Sequence, residues 1–308
     1  MPKYKINVGN QQIEIDTGDE EFQLKPVDQK KIQLIIQKSK TSIISAKAKT
    51  LLLLKGIYSN RVKFIPKEVF ALLNLYFRVP FPYDNFTLVD VQRCLSKIYE
   101  NLIVLEKGFC FSNFSIHQAE MKVLKSNGAS GYVRGIFFDT IWMQIFTPDF
   151  HEFKKTKPID SPIFLNLNDF LSSPTKKLMR LLIHEASHKF TRTIDNAYIS
   201  TTIEDIKNTK LFNIEMKNIQ TSITTTTIID TEKFPVEEEK IIIQLSESST
   251  SGSAKKSWKD LTSEEALNNA DSYAGFIMDL ATCSGIELFN IDILVSEYMK
   301  KYEFNPYE

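Results

Sequence analysis

The chain has 308 residues, 43% hydrophobic and 25% charged, the balance of a globular protein able to bury a sizeable core. Its 38 basic and 38 acidic side chains cancel, which argues against a general nucleic-acid binder, because phosphate contacts need a basic excess. Ten glycines against 22 phenylalanines and 11 tyrosines point to helices around an aromatic core rather than a loop-rich scaffold.

Met1 to Lys5 lead into alternating polar and apolar positions, not into an apolar run with a small-residue cleavage site, so no Sec-type signal is expected. Tyr4, Ile6 and Val8, then Ile13 and Ile15, alternate about Gly9-Asn10 and predict a hairpin within an N-terminal extension over 1–27. From Asp28 to about Ile57 an apolar stripe (Ile32, Ile35, Ile36, Ile43, Ile44, Leu51, Leu54) recurs at helical spacing. Lys30, Lys31, Lys38, Lys40, Lys47 and Lys49 lie on the other side and read as a solvated lysine face. The most apolar run, Leu51 to Leu54, is far short of the 18 or more residues of a membrane helix, so no stable membrane insertion is expected. Cys94, Cys110 and Cys283 are odd in number and widely spaced, which favours reduced, packed thiols over a disulfide framework.

Thr87 to Asp90 have the form of a capping box, followed by Leu88, Val91, Leu95, Ile98 and Leu102 on one helical face. Residues 131 to 147 are aromatic and β-branched, with a turn predicted at Asp139-Thr140, and 162 to 166 read as another short strand. Ser173 as cap and Pro174 in the first position then open a helix from Lys176 through Phe190. Residues 200 to 257 change character: 18 of them are Ser or Thr, and they read as an insertion ending in a flexible linker. Thr262 to Glu265 form a second capping box, opening a helix through Asn268 and Asp271 to roughly Thr282. These elements predict an α+β fold, mainly helical with a small antiparallel sheet. One domain is built from 28–199 and 258–300.

Chemistry concentrates in Leu181-Leu182-Ile183-His184-Glu185-Ala186-Ser187-His188. Two of the chain's four histidines stand at i and i+4, so both imidazoles leave one helix face about a turn apart and can converge on one zinc ion. Glu185 lies a step round the helix, placed to act as general base in this HExxH arrangement. His117 and His151 have no metal-ligand spacing and read as structural. A third ligand is needed, and Asp195 is a candidate only if the helix ends after Phe190 and the chain folds back. Were the helix to continue, Asp195 would be roughly 10 Å along its axis. Tyr198, three residues on, is a candidate hydrogen-bond donor to an oxyanion.

His184-Glu185-x-x-His188 followed by Thr193-x-Asp195-x-x-Tyr198 resembles the signature of the aspzincins, the deuterolysin and lysine-specific metalloendopeptidase family, HExxH then GTxDxxYG. Ala266 to Ala274 are similar to that family's AxxNADSY segment. Weaker echoes are Tyr76-Phe77 and Gly131-Tyr132-Val133. The resemblance implies a zincin-like fold and a zinc-dependent endopeptidase acting on a protein substrate. It implies zinc held by His184, His188 and Asp195, with Glu185 as base and Tyr198 as transition-state donor. Asp271 matches the acid that lines the side-chain pocket of lysine-cutting relatives. The alternative for Asp271 is a partner for a ligand histidine's other N–H. Arg192 and Ile199 replace the two glycines of GTxDxxYG, so the local turn is expected to differ. Ala274 stands where the fungal lysine-specific enzymes carry Glu, so strict lysine selectivity does not follow. Bacterial members of this type resemble toxin or effector modules. The expectation is therefore either a cytoplasmic protein or one delivered by a specialised secretion system, with the insertion as a candidate exosite. The rival readings are a catalytically degenerate binding module and an amidase acting on cell-wall peptide.

Overall fold

The computed structural model describes residues 3–18, 23–58, 65–79, 85–127, 130–134, 157–199, 257–284 and 286. The Ser/Thr-rich stretch up to residue 256 and the predicted turn at Asp139-Thr140 lie outside them.

Strands β1 (Lys3–Val8) and β2 (Gln11–Asp16) form the hairpin that the alternation predicts, closing with Val8 opposite Gln11. Gly9 takes a φ of +61° while Asn10 does not share it, the pattern of a turn with glycine in the first central position. The chain then enters helix α1 (Pro26–Tyr58), followed by α2 (Lys67–Phe77) and α3 (Asn85–Glu106). A π turn over Lys107–Phe111 leads to β3 (Ser115–Gln118), α4 (Met121–Asn127) and β4 (Gly131–Val133). Next come β5 (Ile163–Leu165), α5 (Leu167–Ser172) and α6 (Thr175–Thr191), and finally α7 (Ser263–Leu267) and α8 (Ala270–Thr282). The strand order is β1-β2-β3-β5-β4. β2, β3 and β5 run parallel, while β1 and β4 are antiparallel to their neighbours. The α+β class holds, but the sheet is mixed rather than antiparallel. The reason is that α1 to α3 form the long crossover a parallel β2–β3 pair requires.

Helix α1 packs on α3, α6 and α8. Its buried isoleucines Ile32, Ile35, Ile36 and Ile43 each contribute roughly 1.5–3 kcal/mol by leaving water, and so fix which face turns inward. Ile44, assigned to the same stripe, is 43% exposed.

The lysines of α1 form a solvated face only in part: Lys30 and Lys38 are exposed, whereas the other four are wholly or partly covered. Lys40 and Lys49 are buried. Lys49 Nζ donates to the carbonyls of Leu280, Ala281 and Cys283 at 3.2, 2.9 and 2.7 Å, at the C-terminus of α8. Lys31 does the same for Leu171 and Ser173 at the end of α5, and Lys47 pairs with Glu106. The last carbonyls of a helix have no partner within it and carry the negative end of its dipole, so an ammonium ion is a natural cap. Helical periodicity shows which side a lysine occupies but not what packs there.

Two helix starts also differ from expectation. Helix α3 begins at Asn85, ahead of Thr87. Ser173 does not cap α6; its N–H closes α5 on Asp169 and Phe170, and Pro174 flanks α6 without a side-chain cap. The Thr262–Glu265 capping box is present with both reciprocal bonds. The helix it opens stops at Leu267, however, and α8 restarts at Ala270. The break is occupied by the chain that follows α6: Ile194 N–H donates to Asn268 O at 2.9 Å, and Ala270 N–H donates to Ile194 O at 3.0 Å.

Candidate metal centre

Helix α6 is anchored by Leu178, Leu182, Ile183 and Ala186, all buried, which fixes the direction in which the opposite face points. His184 and His188 leave that face with ring centroids 4.7 Å apart. Both rings are nearly sealed from solvent, at 6% and 1% exposure.

The helix ends at Thr191, and the chain turns back through Arg192, which has φ 58° and ψ 27°. Arg192 thus takes the left-handed conformation that glycine favours, at a cost of about 1 kcal/mol for a residue with a Cβ. The turn expected to change at this position is made in a glycine-like conformation after all. Ile199, the other replacement, has no positive φ and its side chain is buried, so nothing there calls for glycine.

The reversal brings Thr193 O to His188 Nδ1 at 2.6 Å. That ring nitrogen therefore carries a proton and donates it, leaving Nε2 as the inward lone pair. Asp195 Oδ1 arrives 3.1 Å from His184 Nε2 and 3.4 Å from His188 Nε2, and the two Nε2 atoms are 3.1 Å apart. These three donors can hold a metal ion. At metal–ligand distances of about 2.1 Å, a tetrahedral centre has ligand–ligand edges of about 3.4 Å, so the triangle matches one face of such a site. Burial alone would raise the Asp195 pKa; the two imidazoles beside it hold it well below the usual carboxylate range. For His184, burial opposes the charged form, but Asp195, Asp271 and Glu185 outweigh it and raise the pKa from 6.5 to about 10.

Asp271, on the first turn of α8, stands behind His184. Its Oδ1 is 3.7 Å from His184 Nδ1, and its Oδ2 accepts from Ile199 N–H at 2.6 Å and Arg180 Nη2 at 2.9 Å. Arg180 also donates to Ile199 O at 2.7 Å. Tyr198 lays its ring over His184 with centroids 6.1 Å apart, and its hydroxyl donates to Asp195 Oδ2 at 3.3 Å. Burial of that hydroxyl and the neighbouring carboxylates keep it protonated, although the residue as a whole is 48% exposed.

Glu185 is buried against the start of β4. A Cβ on Gly131 would lie 2.9 Å from its Oε1 and 2.8 Å from Leu165 Cδ2, so only glycine leaves the carboxylate its place. His117 lies on β3, edge-on to Phe164 and away from this cluster. His151 lies outside the described residues.

Sequence reading did not anticipate Arg180 or the Thr193 carbonyl, and it gave Gly131 only as a weak family echo with no role. Arg180 did have a signal, since it precedes His184 by one helical turn and so shares its face. The roles of the other two had none, because a backbone carbonyl and a missing side chain acquire meaning only from what folds against them. Comparison with family models, curated proteins and solved structures returned no match. Among the described residues, no helix is long and apolar enough to cross a membrane.

Proposed function

We propose that the chain is a zinc-dependent endopeptidase of the aspzincin type, on a zincin-like fold. The observation that carries this reading is the convergence of His184, His188 and Asp195 within 3.1 to 3.4 Å of one another, beside a buried glutamate. Two imidazoles and one carboxylate suit zinc in a site that keeps a position open. Zinc, when bound there, supplies positive charge that polarises the scissile carbonyl and acidifies water.

The residues of the chain do the rest. Glu185 accepts the proton of the attacking water and delivers it to the departing amine nitrogen, so water adds across the peptide C–N bond with the proton count conserved. Its setting against Gly131 limits where that proton can go. Tyr198 remains a phenol and can turn its hydroxyl from Asp195 to the substrate oxygen as negative charge develops. Thr193 O holds His188 by its outer nitrogen, which fixes tautomer and orientation, and Asp271 places a carboxylate 3.7 Å from the outer nitrogen of His184. Of the two roles open to Asp271, this is the one we adopt. Its carboxylate is shared among Arg180, Ile199 N–H and His184, so little charge remains to select a lysine side chain.

The test is Glu185→Gln. We expect it to keep about one zinc per chain and to lose turnover by at least about a thousandfold, as expected when a general base and its proton transfer are removed. Hydrolysis at the wild-type rate would refute the assignment of the base. A wild-type protein that binds zinc but generates no new N-termini in an intact lysate would favour the degenerate binding module. Iron in place of zinc would move the site toward the two-histidine, one-carboxylate oxygenases.

A further inference from the structure

We propose that Asn269 is the positioning residue of this centre, a latch that holds Asp195 beside the two histidines. The inference rests on the zinc reading above and identifies what keeps its third ligand in place.

His184 and His188 need no outside help to stay together, because the helix sets their separation. Asp195 is different. It lies in residues 194 to 199, which form neither helix nor strand, beyond a left-handed turn at Arg192. Something must hold that segment to within a few tenths of an ångström. Asn269 Oδ1 accepts from Asn196 N–H at 3.0 Å and from Ala197 N–H at 3.1 Å, the two amides directly after Asp195. Two N–H donors require an acceptor, which fixes that end of the amide as the oxygen, and Nδ2 donates to Ser272 Oγ at 3.0 Å. Asn269 is fully buried.

The position makes this use notable. Asn269 is the N-cap residue of α8, and asparagine is among the strongest N-cap formers because its oxygen binds an orphan N–H of its own helix. Here it makes no such bond. Both lone pairs of Oδ1 go instead to a segment more than seventy residues earlier in the chain. The surrounding contacts serve the same purpose: Asn196 Nδ2 donates to Glu265 O at 2.8 Å, and Ile194 pairs with Asn268 and Ala270. The break between α7 and α8 is thus the clamp that sets the metal centre's third corner.

The experiment is zinc affinity, measured on the full chain by competition with a chromophoric chelator, together with the visible spectrum of the cobalt-loaded protein. The proteins compared are wild type, Asn269→Leu, Asp195→Ala, the double variant and Ser272→Ala. Asn269→Leu should weaken zinc by about 100-fold, the upper range for groups that orient metal ligands. The double variant should bind no more weakly than Asp195→Ala alone, since the latch acts only through that ligand. Cobalt in Asn269→Leu should show the altered bands of Asp195→Ala. A purely structural asparagine would lower the melting temperature of the metal-free protein and leave affinity within about threefold and the two losses additive; that result overturns the inference. If Asn269→Leu does not fold, Ser272→Ala decides. Loss of one hydrogen bond to the latch should weaken zinc about fivefold with the circular dichroism unchanged, and wild-type affinity in that variant overturns the inference. A wild-type protein that binds neither zinc nor cobalt sinks the zinc reading and the latch together, whereas a zinc-binding wild type matched by Asn269→Leu sinks the latch alone.

Discussion

The metal centre has a helical half and a loop half, held in place by different physics. His184, Glu185 and His188 inherit their spacing from α6, whose apolar face is buried in the main core. Asp195 and Tyr198 inherit theirs from bonds to residues far along the chain, Asn268 to Asp271, and from a strained turn at Arg192. A helix face is determined by its own neighbours in sequence. A loop ligand is determined by whatever else folds against it, so it is the half that substitutions elsewhere can disturb.

The largest expected contrast is in pH. In the metal-free protein the raised His184 pKa means the ring carries a proton at neutral pH, which zinc must displace. Zinc affinity should therefore rise about tenfold per pH unit from pH 6.5 toward the pKa of about 10, with one proton released per zinc in calorimetry buffers of differing ionisation enthalpy. The metal-free protein should behave oppositely. The folded His184 pKa lies above the unfolded value, so its contribution to stability is complete below pH 6.5 and fades as pH climbs to about 10. A flat affinity profile would mean that the two halves are not electrostatically joined through Asp195.

Next in size is Asp271→Asn, which weakens the hold on His184 and disturbs the Arg180 pair; we expect zinc affinity to fall by about 10- to 100-fold in chelator competition. Gly131→Ala should separate the halves from the other side. It crowds Glu185 without touching a ligand, so zinc affinity should stay at wild type while kcat drops by about tenfold or more in a peptide assay, since displacement of a catalytic group by a fraction of an ångström has costs of that order. The smallest effect belongs to Arg192→Gly. It relieves the left-handed strain and should leave activity intact while raising stability by up to about 1 kcal/mol in urea unfolding, a gain partly offset by the greater freedom of glycine in the unfolded chain.

The helical half was legible in the sequence because periodicity and i,i+4 spacing are local properties. The hairpin about Gly9, the buried faces of α1 and α3 and the Thr262 capping box were legible for the same reason. The loop half was reached from the requirement that the helix end before Asp195, with a family resemblance supplying the roles. What remained hidden depended on tertiary contact. The uninterrupted helix expected from Thr262 to Thr282 breaks because Ile194 takes the backbone groups of Asn268 and Ala270. Two of the lysines expected in water, Lys31 and Lys49, instead reach carbonyls at the ends of α5 and α8. Ser173 could have closed one helix or opened the next; its N–H closes α5 on Asp169 and Phe170, and Pro174 takes the N-cap position of α6.

The clamp between α7 and α8 also has a consequence in time. Both histidines leave the ribosome more than eighty residues ahead of Asn269, and the long helix α1 well before them. A nascent chain stalled short of Asn268 lacks both the groups that hold the carboxylate in register and helix α8, against which α1 and α6 pack. Competence thus arrives only once residues 268 to 271 have been made, and chains terminated before them are born inert.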